Sequence, residues 1–70
     1  MKFIDLPPKF QRIAREWACS MFQDFYDEAG INEQCNIDSP EVLDAVNDSE
    51  YEIEYVVYEN GSGEYILRYK

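Results

Sequence analysis

A chain of 70 residues with fifteen acids, six bases and no histidine has a formal charge of −9, and one this short hides only about 60% of the surface its unfolded form exposes. Its 46% hydrophobic content and eleven aromatics lie outside the disordered range, so one compact domain spanning residues 1–70 is expected, with a few large side chains doing most of the burying. The charge repels nucleic acid and anionic lipid as direct ligands, no apolar run approaches the roughly 18 residues of a membrane span, and Met1-Lys2-Phe3-Ile4-Asp5 lacks the apolar stretch of a secretory signal. A cytoplasmic location is the expectation that follows.

Phe3 to Leu6 is long enough for a short edge strand. Asp5 to Ala29 reads as the main helix, with Asp5 able to cap the first turn, Pro7-Pro8 tolerated there because early amides have no intrahelical acceptor, and Gly30 as the stop. Phe10, Ile13, Ala14, Trp17, Ala18, Met21, Phe22 and Phe25 fall on three-and-four spacing against a wet side of Arg12, Glu16, Gln23 and Asp27. This apolar arc is wide enough to cover a small sheet and leave part of itself for a second surface. A linker, Ile31 to Asp38, leads to Ser39-Pro40, a good cap and a good first helical residue, so a short helix is expected over Glu41 to Asn47 with Val42, Leu43 and Val46 inward.

Tyr51 to Glu59 alternates Tyr51, Ile53, Tyr55, Val57 against Glu52, Glu54, Val56, Tyr58, the period-two pattern of a half-buried strand. Asn60-Gly61-Ser62-Gly63 is the turn and Glu64 to Lys70 the returning strand. A two-residue Asn60-Gly61 turn sets Val57 against Glu64 and mixes the faces. A one-residue shift pairs Val57 with Tyr65, Tyr55 with Leu67 and Ile53 with Tyr69, while Glu54 meets Arg68 and Glu52 meets Lys70, and is the register expected. The fold class is then α+β in the order β-α-α-β-β, with helices packed on one face of a small antiparallel sheet. Trp17, Phe22, Tyr55, Tyr65 and Tyr69 are assigned to packing, and Tyr26 and Tyr58 to the surface.

From Glu16 to Leu67 there are fourteen carboxylates and no Lys or Arg, because Lys2, Lys9, Arg12, Arg15, Arg68 and Lys70 all lie in the two ends. The main helix runs against its own dipole, with Lys9, Arg12 and Arg15 towards its N-terminus and Asp24, Asp27 and Glu28 at its C-terminus, at a cost of about 0.3 to 1 kcal/mol for each exposed terminal charge. Glu41, Asp44 and Asp48 line one side of the second helix. Glu50, Glu52 and Glu54 recur along the strand about 6.6 to 6.8 Å apart, but the expected register neutralises two of them. Rows of carboxylates at such spacing can stand in for a phosphate backbone. The candidate partner-binding residues are therefore Asp24, Asp27, Glu28, Glu33, Asp38, Glu41, Asp44 and Asp48.

No catalytic, cofactor or metal site is expected. There is no histidine, no Gly-rich phosphate loop and no nucleophile beside a base, and Asp24-Phe25-Tyr26-Asp27-Glu28-Ala29-Gly30 does not match a calcium loop. Cys19 and Cys35 are too few for a disulfide framework or a zinc pattern and read as free, partly buried thiols. In composition only, the chain resembles the small acidic inhibitor proteins that bacteriophages direct against host nucleic-acid-binding machinery. That resemblance implies a non-enzymatic module occupying the basic surface of a DNA- or RNA-binding protein as a phosphate mimic. A different class fits the same chain: an assembly or accessory protein, monomeric or a small homo-oligomer, that associates through its sheet edge or helix face while acidity serves solubility.

Overall fold

Two adjacent prolines decide where the long helix begins. A residue that precedes proline is pushed out of the α region, and both Leu6 (φ −75°, ψ 144°) and Pro7 (φ −57°, ψ 152°) are extended. In the computed structural model, which describes residues 1–70, helix α1 accordingly spans Pro8–Glu28. The Pro7 carbonyl accepts the amides of Phe10 and Gln11 at 2.9 and 3.0 Å. Asp5 lies before this start, so it is no cap, and no side chain caps α1. The other end follows expectation: Gly30 sits at φ 72°, its amide donates to Asp27 O and the Ile31 amide to Tyr26 O, which together make a Schellman stop.

The expected N-terminal strand does not form. Phe3–Asp5 is a 3₁₀ turn, in which the Asp5 amide donates to Lys2 O and the Leu6 amide to Phe3 O, each at 3.0 Å. The reason is spacing. Residues three apart eclipse on a 3₁₀ turn but fall on opposite faces of a strand, and Phe3 and Leu6 are both buried while Ile4 faces solvent. Only Lys2 pairs as a strand would, in an isolated bridge to Glu50.

Helix α2 spans Pro40–Asn47 and is capped by Ser39, whose hydroxyl accepts the Val42 amide at 3.4 Å. Phe10, Ala14 and Ala18 form a buried row on α1, and Val42 and Val46 a buried pair on α2. Small alanines allow the two helices to approach closely. Phe3, Leu6, Tyr51 and Leu67 complete the core. Tyr51 has no exposed surface and donates its hydroxyl to Val46 O at 3.3 Å, so the one fully buried phenol is satisfied.

Strands β1 (Tyr51–Val57) and β2 (Gly63–Tyr69) make a two-stranded antiparallel sheet. Tyr55 stands opposite Tyr65, Ile53 opposite Leu67, Tyr51 opposite Tyr69, Glu54 opposite Ile66 and Glu52 opposite Arg68. This differs by two residues from the expected register. A shift of two leaves every side chain on its original face, so face consistency alone could not separate the two alignments. The loop decides: Tyr58 N donates to Ser62 O at 2.8 Å, Gly61 (φ 86°) N to Tyr58 O at 3.0 Å, and the Asn60 carboxamide accepts from Ser62 N and Oγ. The Tyr58–Ser62 bond encloses three residues, Glu59 to Gly61, so the loop is centred on Asn60, one residue earlier than the expected register requires. Arg68 still pairs with Glu54, now diagonally.

Only the base of the hairpin meets the helices, through Tyr51, Ile53, Leu67 and Tyr69. Its outer half projects, giving extents of 45 × 26 × 18 Å and a radius of gyration of 14.3 Å, against about 11 Å for a compact domain of this length. Tyr55 and Tyr65 stack at 4.9 Å between centroids and remain 54% and 61% exposed. The Tyr55 ring leans over Gly63, occupying the space where any side chain there would begin. Tyr69 packs on Trp17 and Tyr51 at 5.2 and 5.4 Å yet keeps an exposed edge. The assignment of Tyr55, Tyr65 and Tyr69 to the core is thus corrected, because two strands and two helices leave nothing to cover the hairpin's tip. Trp17 and Phe22 are half-buried against the core.

Candidate functional site

The helix bounds confirm that α1 carries its charges against its dipole. Lys9 lies in its first turn, Asp27 and Glu28 in its last, and Asp24 one turn earlier, with no acid at the start and no base at the end. Four of the six bases are committed to ion pairs: Lys2 with Glu50 at 2.6 Å, Arg12 with Glu16 at 3.3 Å, Arg15 with Asp38 at 3.1 Å, and Arg68 with Glu54. The Lys2 hydrogen bond holds Glu50 below the usual carboxylate range. Asp38 therefore leaves the group of unpaired acids. Asp24, Asp27, Glu28, Glu33, Glu41, Asp44 and Asp48 are all exposed, and none has a cation within 4 Å.

Gln23 ties the linker to α1. Its carboxamide donates to Glu33 O at 3.0 Å and to Asp27 Oδ1 at 3.2 Å, and accepts the Cys35 amide at 2.9 Å. The linker acid Glu33 is thereby held beside the last turns of α1. Cys19 Sγ donates to Cys35 O at 3.0 Å. Both thiols are free, and burial, followed by the Cys19 thiol, pushes Cys35 up to about 11, which keeps it protonated and unreactive at neutral pH.

Between these acids lies a surface the charge pattern did not single out. Met21, Phe22, Phe25 and Tyr26 line an open, largely apolar groove of about 390 Å³ on the C-terminal half of α1. Met21 is 60% and Phe25 61% exposed, although both belong to the apolar arc. Neither is among the residues packed against the core. Asp24 and Glu28, three and seven residues beyond Met21, run along its flank. On the opposite flank the Tyr26 hydroxyl is pushed above the usual phenol range, first by removal from water and then by the negative charge of Glu41, with Glu33 contributing. Acids therefore border the groove on both sides.

A second open cleft, lined by Pro8, Gln11, Arg12, Arg15, Ile37 and Asp38, has its arginines paired to Glu16 and Asp38. No helix is long and apolar enough to cross a membrane. Set beside known proteins, the chain matches no protein-family model, no curated protein and no solved structure, so its functional reading rests on these residues.

Proposed function

We propose that this protein is a non-enzymatic binding module that docks its acidic side onto a basic surface of a DNA- or RNA-handling protein, where its carboxylates replace phosphates. The observation that carries this reading is the set of seven exposed acids, Asp24, Asp27, Glu28, Glu33, Glu41, Asp44 and Asp48, none with a cation within 4 Å. Such a surface attracts cations over about a Debye length, 8 to 10 Å at moderate salt, and raises the rate of encounter with a basic partner. The reversed dipole of α1 supports the same reading, since folding gains nothing from it. Immobilised protein should retain a nucleic-acid-binding protein from a bacterial lysate at low salt and release it at high salt. A variant with the seven acids changed to Asn or Gln should retain none. Equal retention by both, or retention only of partners that handle no nucleic acid, contradicts the proposal.

One observation favours a second reading, assembly through the hairpin. A two-stranded sheet has two unpaired edges, and Val57, Tyr55 and Tyr65 at its outer end are exposed, a combination that invites strand addition. A solution mass of twice the monomer, abolished by Val57→Lys, distinguishes it.

A further inference from the structure

The apolar groove on α1 demands something that phosphate mimicry alone does not. A purely electrostatic contact with a basic channel would leave Met21 and Phe25, each about three-fifths exposed, facing polar and charged atoms. We propose that the groove is the seat of a basic amphipathic helix from the partner, whose apolar side chains fill the floor of Met21, Phe22, Phe25 and Tyr26 while its Lys or Arg residues meet the acidic borders. This rests on the reading given above and adds the form of the partner's contact.

The dimensions fit. From Met21 to Tyr26 the floor rises about 7.5 Å along α1, which matches two anchors one helical turn apart, at i and i+4, with side chains about 5 to 6 Å from one another. Asp24 and Glu28 repeat at the same i, i+4 interval on one border, and Glu33 and Glu41 charge the other. A groove with an apolar floor and charged rims is how proteins hold amphipathic helices. Charge also selects among occupants. A second copy would bring an identical acidic border against this one and a total charge of −9, and an anionic membrane would be repelled in the same way.

The test uses two synthetic peptides of roughly 14 residues, about four turns, with identical Leu and Lys content. One has Leu at i, i+4 and i+7 on a Lys background; the other is scrambled. Binding is followed by calorimetry at about 0.15 M salt, with the intact protein and with Met21→Gln and Phe25→Gln, whose folding is checked by circular dichroism. Because both side chains are mostly exposed, the variants retain the fold. The patterned peptide should bind at least about 10-fold more tightly than the scramble, and each variant should lose about 10-fold for the patterned peptide only. Equal binding of both peptides, or patterned binding unaffected by Phe25→Gln, overturns the groove and leaves the charge-driven reading standing. Failure of either peptide to bind at about 0.01 M salt, where screening is weak, overturns both. Association of the protein with itself through the groove, seen as a doubled mass lost in Phe25→Gln, replaces the helix with a second copy.

Discussion

Neutralising the end of α1 should make this protein more stable. Asp27 and Glu28 occupy the last turn of Pro8–Glu28, where the helix already presents a partial negative charge worth about 0.3 to 1 kcal/mol against each added carboxylate. Glu28 also stands one turn beyond Asp24, a like-charge pair costing about 0.2 to 0.5 kcal/mol. Together Asp27→Asn and Glu28→Gln should gain about 1 to 2 kcal/mol at low ionic strength, taken near the lower end because both side chains are open to solvent. A domain of 60 to 100 residues melts about 4 to 8 °C higher per kcal/mol, so a rise of about 4 to 10 °C is expected. The Asp27→Asn amide oxygen can still accept from Gln23, so the linker stays tied. Thermal melts followed by circular dichroism at about 0.01 M and about 1 M salt, where the Debye length falls from about 30 to about 3 Å, should show that difference shrink to almost nothing. A variant that melts lower than the parent, or a difference indifferent to salt, refutes the reasoning that these acids oppose folding.

Burial separates two valines of the same kind. Val42→Ala, at a fully buried site in the core it shares with Ala14 and Ala18, should cost about 2 kcal/mol in urea unfolding, whereas Val57→Ala, 66% exposed on the hairpin, should fall within about 0.5 kcal/mol of zero; comparable losses would mean the hairpin tip is packed. Cross-strand contacts in nuclear Overhauser spectra should join Tyr55 to Tyr65 and Ile53 to Leu67, and contacts of Tyr55 with Leu67 as its direct partner would restore the register expected from face consistency. Tyr51 and Tyr69 are held above the usual phenol range by burial, Tyr26 by removal from water, and Tyr58 by its hydrogen bond to Glu64. A raised folded-state value favours the fold below the unfolded phenol value, about 10, and that stability is lost as pH climbs through the higher folded values. Cys35, held up to about 11, acts in the same sense from the unfolded thiol value upward. The melting temperature should thus stay level to about pH 8, begin to fall at about pH 9 and fall further above about pH 10, and a protein that melts unchanged at about pH 11.5 would show these groups to be as solvated folded as unfolded.

How far this was readable in the sequence differs by element. The Gly30 stop and the Ser39 cap are local chemistry, and both were legible because a single residue fixes each. The hairpin's faces were legible from its alternation, but its register was not. Two alignments two residues apart satisfy the same alternation, and only the hydrogen bonds of Asn60 and Ser62 choose between them. The N-terminal turn was legible in principle, since Phe3, Leu6 and Phe10 keep three-and-four spacing that no strand provides. The tyrosines Tyr55, Tyr65 and Tyr69 were misassigned because the helices cover only the base of the hairpin, a limit that alternation along the strands does not show. Among the site residues, Asp38 is neutralised by Arg15 across 23 positions of sequence, a long-range pairing that spacing cannot reveal. The apolar groove did leave a trace, in an arc that extends to Phe25 beyond what two short strands can cover.

The most direct test of the central claim is competition. With the retained partner held on a labelled nucleic acid and followed by fluorescence anisotropy, adding this protein should displace the nucleic acid completely. The protein alone should give no anisotropy change with the nucleic acid, and the variant with Asp24, Asp27 and Glu28 changed to Asn or Gln should need about 10-fold more protein for the same displacement, a difference of about 1.4 kcal/mol. A ternary complex that keeps the nucleic acid at undiminished affinity would contradict occupation of the phosphate site and leave this chain as an accessory protein that binds elsewhere.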